Sequence, residues 1–252
     1  MMRRMMGVVA LLVVMGAGGC AGYVVRASFE GSKFRMMIAA ETTPPGRQLT
    51  EDTVQKEIER LLALKPSSPV PAKVLLYEIP STRESHIRSA RKMLLLRKET
   101  GEAMKTALEK TGLFAQIDFL PELYLPDGIP GGLKALRLAA ARAHADALLL
   151  YSTEAGYERE PNALAALYIT VVGAFLVPGT DAAATAVSKA VLIDVRTGYI
   201  YRVFEAYGES TRVVPIASVD DEAMEFEARK QALTKLAQVA AEKVVQLGAV
   251  KP

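Results

Sequence analysis

The sequence predicts an α/β fold: a mixed β-sheet of about five strands flanked by helices, closed by a long C-terminal helix and preceded by an N-terminal export segment. Three observations predict it. Between residues 73 and 152, short apolar runs alternate with segments of helical spacing, the layout of a sheet with helices against its faces. Residues 186–195 and 199–207 read as two strands around Asp194-Val195-Arg196-Thr197-Gly198, a hairpin that makes the sheet mixed rather than parallel. From Asp220 or Asp221 to Leu247, the side chains of Phe226, Leu233, Leu236, Ala240, Val244 and Leu247 line one helical face, and Gly248 is placed to stop it.

The other elements follow in chain order. Residues 49–64 should form a helix capped by Thr50, with Glu51 and Asp52 in the first turn and Val54, Ile58, Leu61 and Leu62 on one face. Pro66-Ser67-Ser68-Pro69-Val70-Pro71 ends it, because a helix cannot continue through those prolines. Residues 49–71 are therefore a helix and connector, and the α/β domain occupies 72–252. Val74-Leu75-Leu76-Tyr77 is a strand closed by Pro80. A helix over 84–110 follows, weakened in its middle by Gly101, with Gly112 in the left-handed position after it. Residues 113–120 read as a strand, 121–132 as a Pro- and Gly-rich loop, 133–144 as a helix and 147–152 as a buried strand.

The N-terminus carries addressing information. Arg3 and Arg4 precede the apolar core Val-Val-Ala-Leu-Leu-Val-Val-Met at residues 8–15, and Gly16-Ala17-Gly18-Gly19 leads into Cys20. This is the three-part layout of a secretory signal, and its core is too short to span a bilayer. Cys20 is the single cysteine, so it has no intramolecular disulfide partner. The segment resembles a bacterial lipoprotein signal, with residues 1–19 cleaved and Cys20 acylated, although Ala17 stands where that signal usually has Leu. A cleaved signal with an incidental cysteine, or an uncleaved anchor, is the alternative. Residues 20–48 suit a tether, with an N-terminal strand at 35–39 as the other reading. Ala21 rather than Asp after the cysteine favours the outer membrane of a bacterial envelope.

Composition excludes some classes. Loss of residues 1–19 removes Arg3 and Arg4, taking 31 basic residues to 29 against 28 acidic ones, so no basic excess argues for nucleic acid. Half of the residues are hydrophobic, enough for a packed core.

Two blocks resemble a known family. One is Leu120-Pro121-Glu122-Leu123-Tyr124-Leu125-Pro126 with Gly131-Gly132-Leu133 and the run 145–152. The other is the run 168–175, then Gly179, Thr185 and Ala190-Val191-Leu192-Ile193-Asp194-Val195. They look like the rhombotarget lipoproteins, over about a third of the chain. The resemblance implies a lipidated envelope protein and supplies no catalytic residue. The order of elements is more loosely similar to the N-terminal domain of TolB and to CsgG, an analogy of fold that says little about function.

No catalytic constellation emerges. His86 and His144 have neither a second histidine nor a cysteine near them, and His144-Ala145-Asp146 is not a metal spacing. No serine sits in a Gly-x-Ser-x-Gly elbow, and Gly128-Ile129-Pro130-Gly131-Gly132 lacks the Lys-Ser/Thr of a phosphate loop. Glu154, Glu158 and Glu160 around Arg159 read as a solvated loop. Neither metal nor cofactor is expected, and the chain is read as a non-enzyme.

Residues 163–177 carry no charge. They are either core or a surface that meets a membrane or another subunit. Apparent loops at 156–162 and 178–184 favour an insertion that projects from the sheet, with Tyr168, Val171, Gly173 and Phe175 as its contact residues. The expected function is that of a lipid-anchored interaction or accessory protein, with an envelope protein or a second copy as partner and a role in surface-protein assembly or anchoring. An envelope hydrolase and an oligomeric secretion-associated component remain as alternatives.

Overall fold

The computed structural model describes residues 51–68, 70–71, 73–80, 90–125, 132–169 and 175–249. Residues 1–50, which include the expected signal segment, Cys20 and the expected tether, lie outside them, as do His86, Val171 and Gly173. Four α-helices are described: α1 (Glu51–Leu62), α2 (Ala90–Glu109), α3 (Gly132–Arg142) and α4 (Asp221–Ala249). They accompany the strands β1 (Lys73–Glu78), β2 (Gln116–Phe119), β3 (Ala147–Pro161), β4 (Thr180–Asp194) and β5 (Ile200–Val214). The sheet order is β2-β1-β3-β4-β5. β1 runs parallel to both β2 and β3, whereas β3–β4 and β4–β5 are antiparallel. This is the mixed five-stranded α/β fold that the alternation of elements and the closing hairpin predict.

Alternation along the strands sorts the core into layers. On one face Val74, Leu76, Ile117, Leu149, Tyr151, Leu192 and Phe204 meet α2 and the C-terminal half of α4, with Met104, Leu108, Leu233 and Leu236. On the other, Leu75, Leu148, Leu150, Val191 and Ile193 meet Leu133, Leu136, Ala139 and Ala140 of α3. Each fully buried Leu or Ile of these layers contributes about 1.5–3 kcal/mol.

The long strands correct the expected boundaries. Residues 156–161 and 180–184 are not loops: β3 and β4 pair without interruption from Ala147↔Asp194 to Pro161↔Thr180. Gly156, Pro161 and the charges suggest a loop, but the segment alternates. Ala155 and Tyr157 pack in the cluster under α4, whereas Glu154, Glu158 and Glu160 take the opposite face. These three glutamates are therefore strand residues on one side of a sheet. Here the core is built of small side chains, Ala182, Ala184 and Ala186 against Met224, Ala228 and Ala232. Gly208 makes this possible, because a Cβ there would stand 2.1 Å from the carbonyl oxygen of Ala228.

Two helix details also differ from expectation. α2 continues through Gly101, whose bare Cα receives the Phe119 ring; a Cβ would lie 3.0 Å from it. α4 runs past Gly248 to Ala249. α1 has the expected apolar stripe, and Val54, Ile58, Leu61 and Leu62 along it are exposed, which the pattern alone does not reveal. Gly112 and Gly198 have the expected positive φ, 65° and 78°. Asp220 caps α4 by accepting the Ala223 N–H at 2.9 Å.

Candidate functional site

Two ends of the sheet carry the features that distinguish this chain. The base is where the chain enters. Asp194, fully buried at the end of β4, accepts hydrogen bonds from the Ser67 N–H (2.7 Å) and hydroxyl (2.6 Å), and from the N–H groups of Arg196 and Thr197. The Tyr201 hydroxyl lies 2.9 Å from both this carboxylate and the Ser68 carbonyl. One side chain thus closes the β4–β5 turn and fixes the Pro-rich connector to it. Burial pushes the Asp194 carboxyl up, but the bonds from Ser67, Thr197 and Tyr201 outweigh it and hold it down at about 2.

The far end is where residues 162–179 join β3 to β4. Asn162 closes their neck: its N–H bonds to the Gly179 carbonyl, and its side-chain amide donates to Pro178 O and Asp181 Oδ1. Its Oδ1 accepts the Leu164 N–H, starting a 3₁₀ turn at Ala163–Ile169. A Cβ at Gly179 would lie 2.7 Å from the Ala165 backbone nitrogen, so only glycine fits there. Beyond the neck, Leu164, Leu167, Phe175 and Leu176 are exposed, Phe175 by 61% and Leu176 by 72%. Of the residues expected at a contact surface, Phe175 is on the surface, Tyr168 lies in the 3₁₀ turn, and Val171 and Gly173 lie outside the described residues.

A third feature was not legible in the sequence. At the carboxyl ends of β1 and β2, Tyr77, Glu78, Arg97, Glu102, Glu122 and Tyr151 surround a cavity of about 300 Å³. Burial raises the Glu78 carboxyl, partly countered by Arg97 and Arg229. Burial, reinforced by Glu78, raises the Tyr151 hydroxyl, which stays protonated. Behind the cavity, Arg229 donates to Glu225 (2.8 Å) and to the Thr153 carbonyl (2.9 Å), and the Thr153 and Ser188 hydroxyls pair at 2.7 Å, all buried. These residues sit singly within apolar runs or helical faces, so no spacing pattern reveals them. The available signal was Glu78 at the carboxyl end of a buried parallel strand, where open α/β sheets bind ligands.

His144 follows the end of α3 with φ 54° and lines a separate cavity with Asp118, Lys73 and Arg142; among the described residues no serine lines it. Among the described residues, no three His, Cys, Asp or Glu side chains converge as a metal site, and no helix is long and apolar enough to cross a membrane.

No protein-family profile matches this chain, and no curated protein matches it. Solved structures resemble it at low identity. PelC from Paraburkholderia phytofirmans, crystallised as a dodecamer, is 14% identical over 69% of this chain and 94% of its own, with a TM-score of 0.28. A minor lipoprotein from Acinetobacter baumannii is 11% identical over 69% and 91%, with a TM-score of 0.34. A Xanthomonas campestris protein of the family DUF330 is 14% identical over 74% and 92%, with a TM-score of 0.33. Likeness at this level carries no function to this chain.

Proposed function

We propose that this protein is a bacterial envelope lipoprotein, held to the outer membrane by acylated Cys20, whose domain acts by docking rather than catalysis. The observation that carries the reading is the separation of the two ends. The chain arriving from Cys20 is bound at the base through Ser67, Ser68 and Asp194. The exposed apolar side chains Leu167, Phe175 and Leu176 stand at the opposite end of β4, a strand of 15 residues that spans about 45–50 Å. An apolar surface at that distance from the anchored end is suited to reach another envelope protein or a second copy. The resemblance to rhombotarget lipoproteins accords with an accessory role in surface-protein assembly or anchoring and adds no activity.

The test has two arms. Cys20→Ser removes the acyl chains and should release the protein from membranes, because stable anchoring needs more than one lipid signal. Retention of the Ser variant on membranes would refute lipid anchoring. Phe175→Glu should keep the melting temperature of the parent and lose self-association or co-purification with a partner. A collapsed melting temperature would show that Phe175 is core.

A further inference from the structure

We propose that the cavity at the carboxyl ends of β1 and β2 binds a small zwitterion of the amino-acid or short-peptide class, its carboxylate on Arg97 and Tyr151 and its ammonium group facing Glu78. The cavity is independent of the distal contact and lies on a different part of the domain.

Two donors there lack partners among the described residues. The Arg97 Nε is buried without a hydrogen bond; Glu78 Oε2 is 3.5 Å away, and the contact is not aligned as one. Tyr151 is only 2% exposed, lines the cavity, and has no hydrogen bond from its hydroxyl among the described residues. The Nε itself is closed off, so a ligand carboxylate meets the exposed end of the Arg97 guanidinium, whose side chain is 37% exposed, and the Tyr151 hydroxyl. A guanidinium fork is shaped for a carboxylate, and a protonated tyrosine hydroxyl supplies one further donor. Gly101 helps to keep the pocket open: a Cβ there would press on the Phe119 ring at 3.0 Å and on the Tyr151 hydroxyl at 3.3 Å.

The signs of charge select the ligand class. Glu78, Glu102 and Glu122 line the cavity together with Arg97 and Lys98. A simple anion at Arg97 would face three carboxylates, and a simple cation at Glu78 would face two basic groups. A molecule with both charges a few atoms apart meets each with its opposite. The volume of about 300 Å³ is at the small end of ligand sites, which suits an amino acid or dipeptide.

The experiment is calorimetric titration of the full lipidated chain in detergent micelles with glycine, glycylglycine, acetate and methylammonium. The expected result is binding of a zwitterion at millimolar or lower concentration and no comparable binding of acetate or methylammonium. Arg97→Gln and Tyr151→Phe should each weaken it by about tenfold or more, with unchanged melting temperatures. Tyr151→Phe removes one oxygen and carries the test alone if Arg97→Gln does not fold. The proposal is overturned if neither zwitterion binds, if acetate or methylammonium binds as well, or if binding survives the folded variants.

Discussion

The base of the sheet and its outer arm are built from the same three long strands and packed in two ways. At the base, β3 and β4 present Leu, Ile and Val to both sides, and helices cover both faces. In the arm, beyond about residue 152, α4 covers one face, over Ala182, Ala184, Ala186 and Gly208. Among the described residues no helix lies on the other face, and Tyr207 and Val213 are exposed on it. The difference shows how one helix can serve both regions: large side chains fill the wide space at the base, and small ones let the N-terminal half of α4 come down onto the arm. Arg159 and Asp221 pair where that half begins, fastening the end of β3 to it. The larger buried side chains sit at the base, and the arm carries the exposed apolar end.

Four substitutions test this contrast, in falling order of effect. Gly208→Ala places a methyl group 2.1 Å from the Ala228 carbonyl, so α4 must lift from the arm. The expected loss is about 3 kcal/mol or more in denaturant unfolding, beyond any gain in strand propensity. A loss below about 1 kcal/mol would mean that the helix does not depend on small side chains.

Asp194→Asn acts at the base and should cost about 2–3 kcal/mol, because its single NH2 must oppose either the Ser67 donors on one oxygen or the Arg196 and Thr197 N–H groups on the other. A folded value of about 2 lies below the ordinary carboxylate range. The carboxylate's contribution is therefore complete above about pH 4 and lost as pH falls through about 2. Unfolding followed between these values should show a steeper loss in the parent than in the Asn variant. Parallel curves would remove Asp194 from the account.

Gly198→Val should cost about 1 kcal/mol or more, since φ is 78° and the new Cβ would fall 2.9 Å from Arg137 Nη1, an end that can move aside. Phe175→Glu should change stability by no more than about 0.5 kcal/mol, because the side chain is largely exposed. Thermal melts of both variants rank the turn above the distal end, and a reversed order would contradict that ranking.

The legible parts of this fold were those in which one element carries its own period. β1, α3, the turn ending at Gly198 and the long C-terminal helix stand close to their expected places. The outer arm is longer than the sequence suggests, because Gly156, Pro161 and Gly179 are loop residues by local chemistry and only pairing across 15 residues keeps the strands extended. Gly101 reads locally as a weak point of a helix, whereas its lack of a side chain is a packing requirement set by Phe119, a residue of another element. The charge-free run at 163–177 and its place between two strands are legible in the sequence, whereas the exposure of Phe175 is seen only in the structure. The polar cavity was invisible because Glu78, Arg97 and Tyr151 meet only after β1, α2 and β3 are assembled.

The central claim is that the distal end of the arm, and not the open sheet face, meets the partner. Site-specific photo-crosslinking in intact envelopes tests it most directly, with the reactive side chain placed at Phe175 in one strain and at Tyr207, 60% exposed on β5 in the arm, in another. The account predicts a discrete protein adduct from position 175 and none of comparable yield from position 207. No adduct at 175, or equal adducts at both positions, would contradict it.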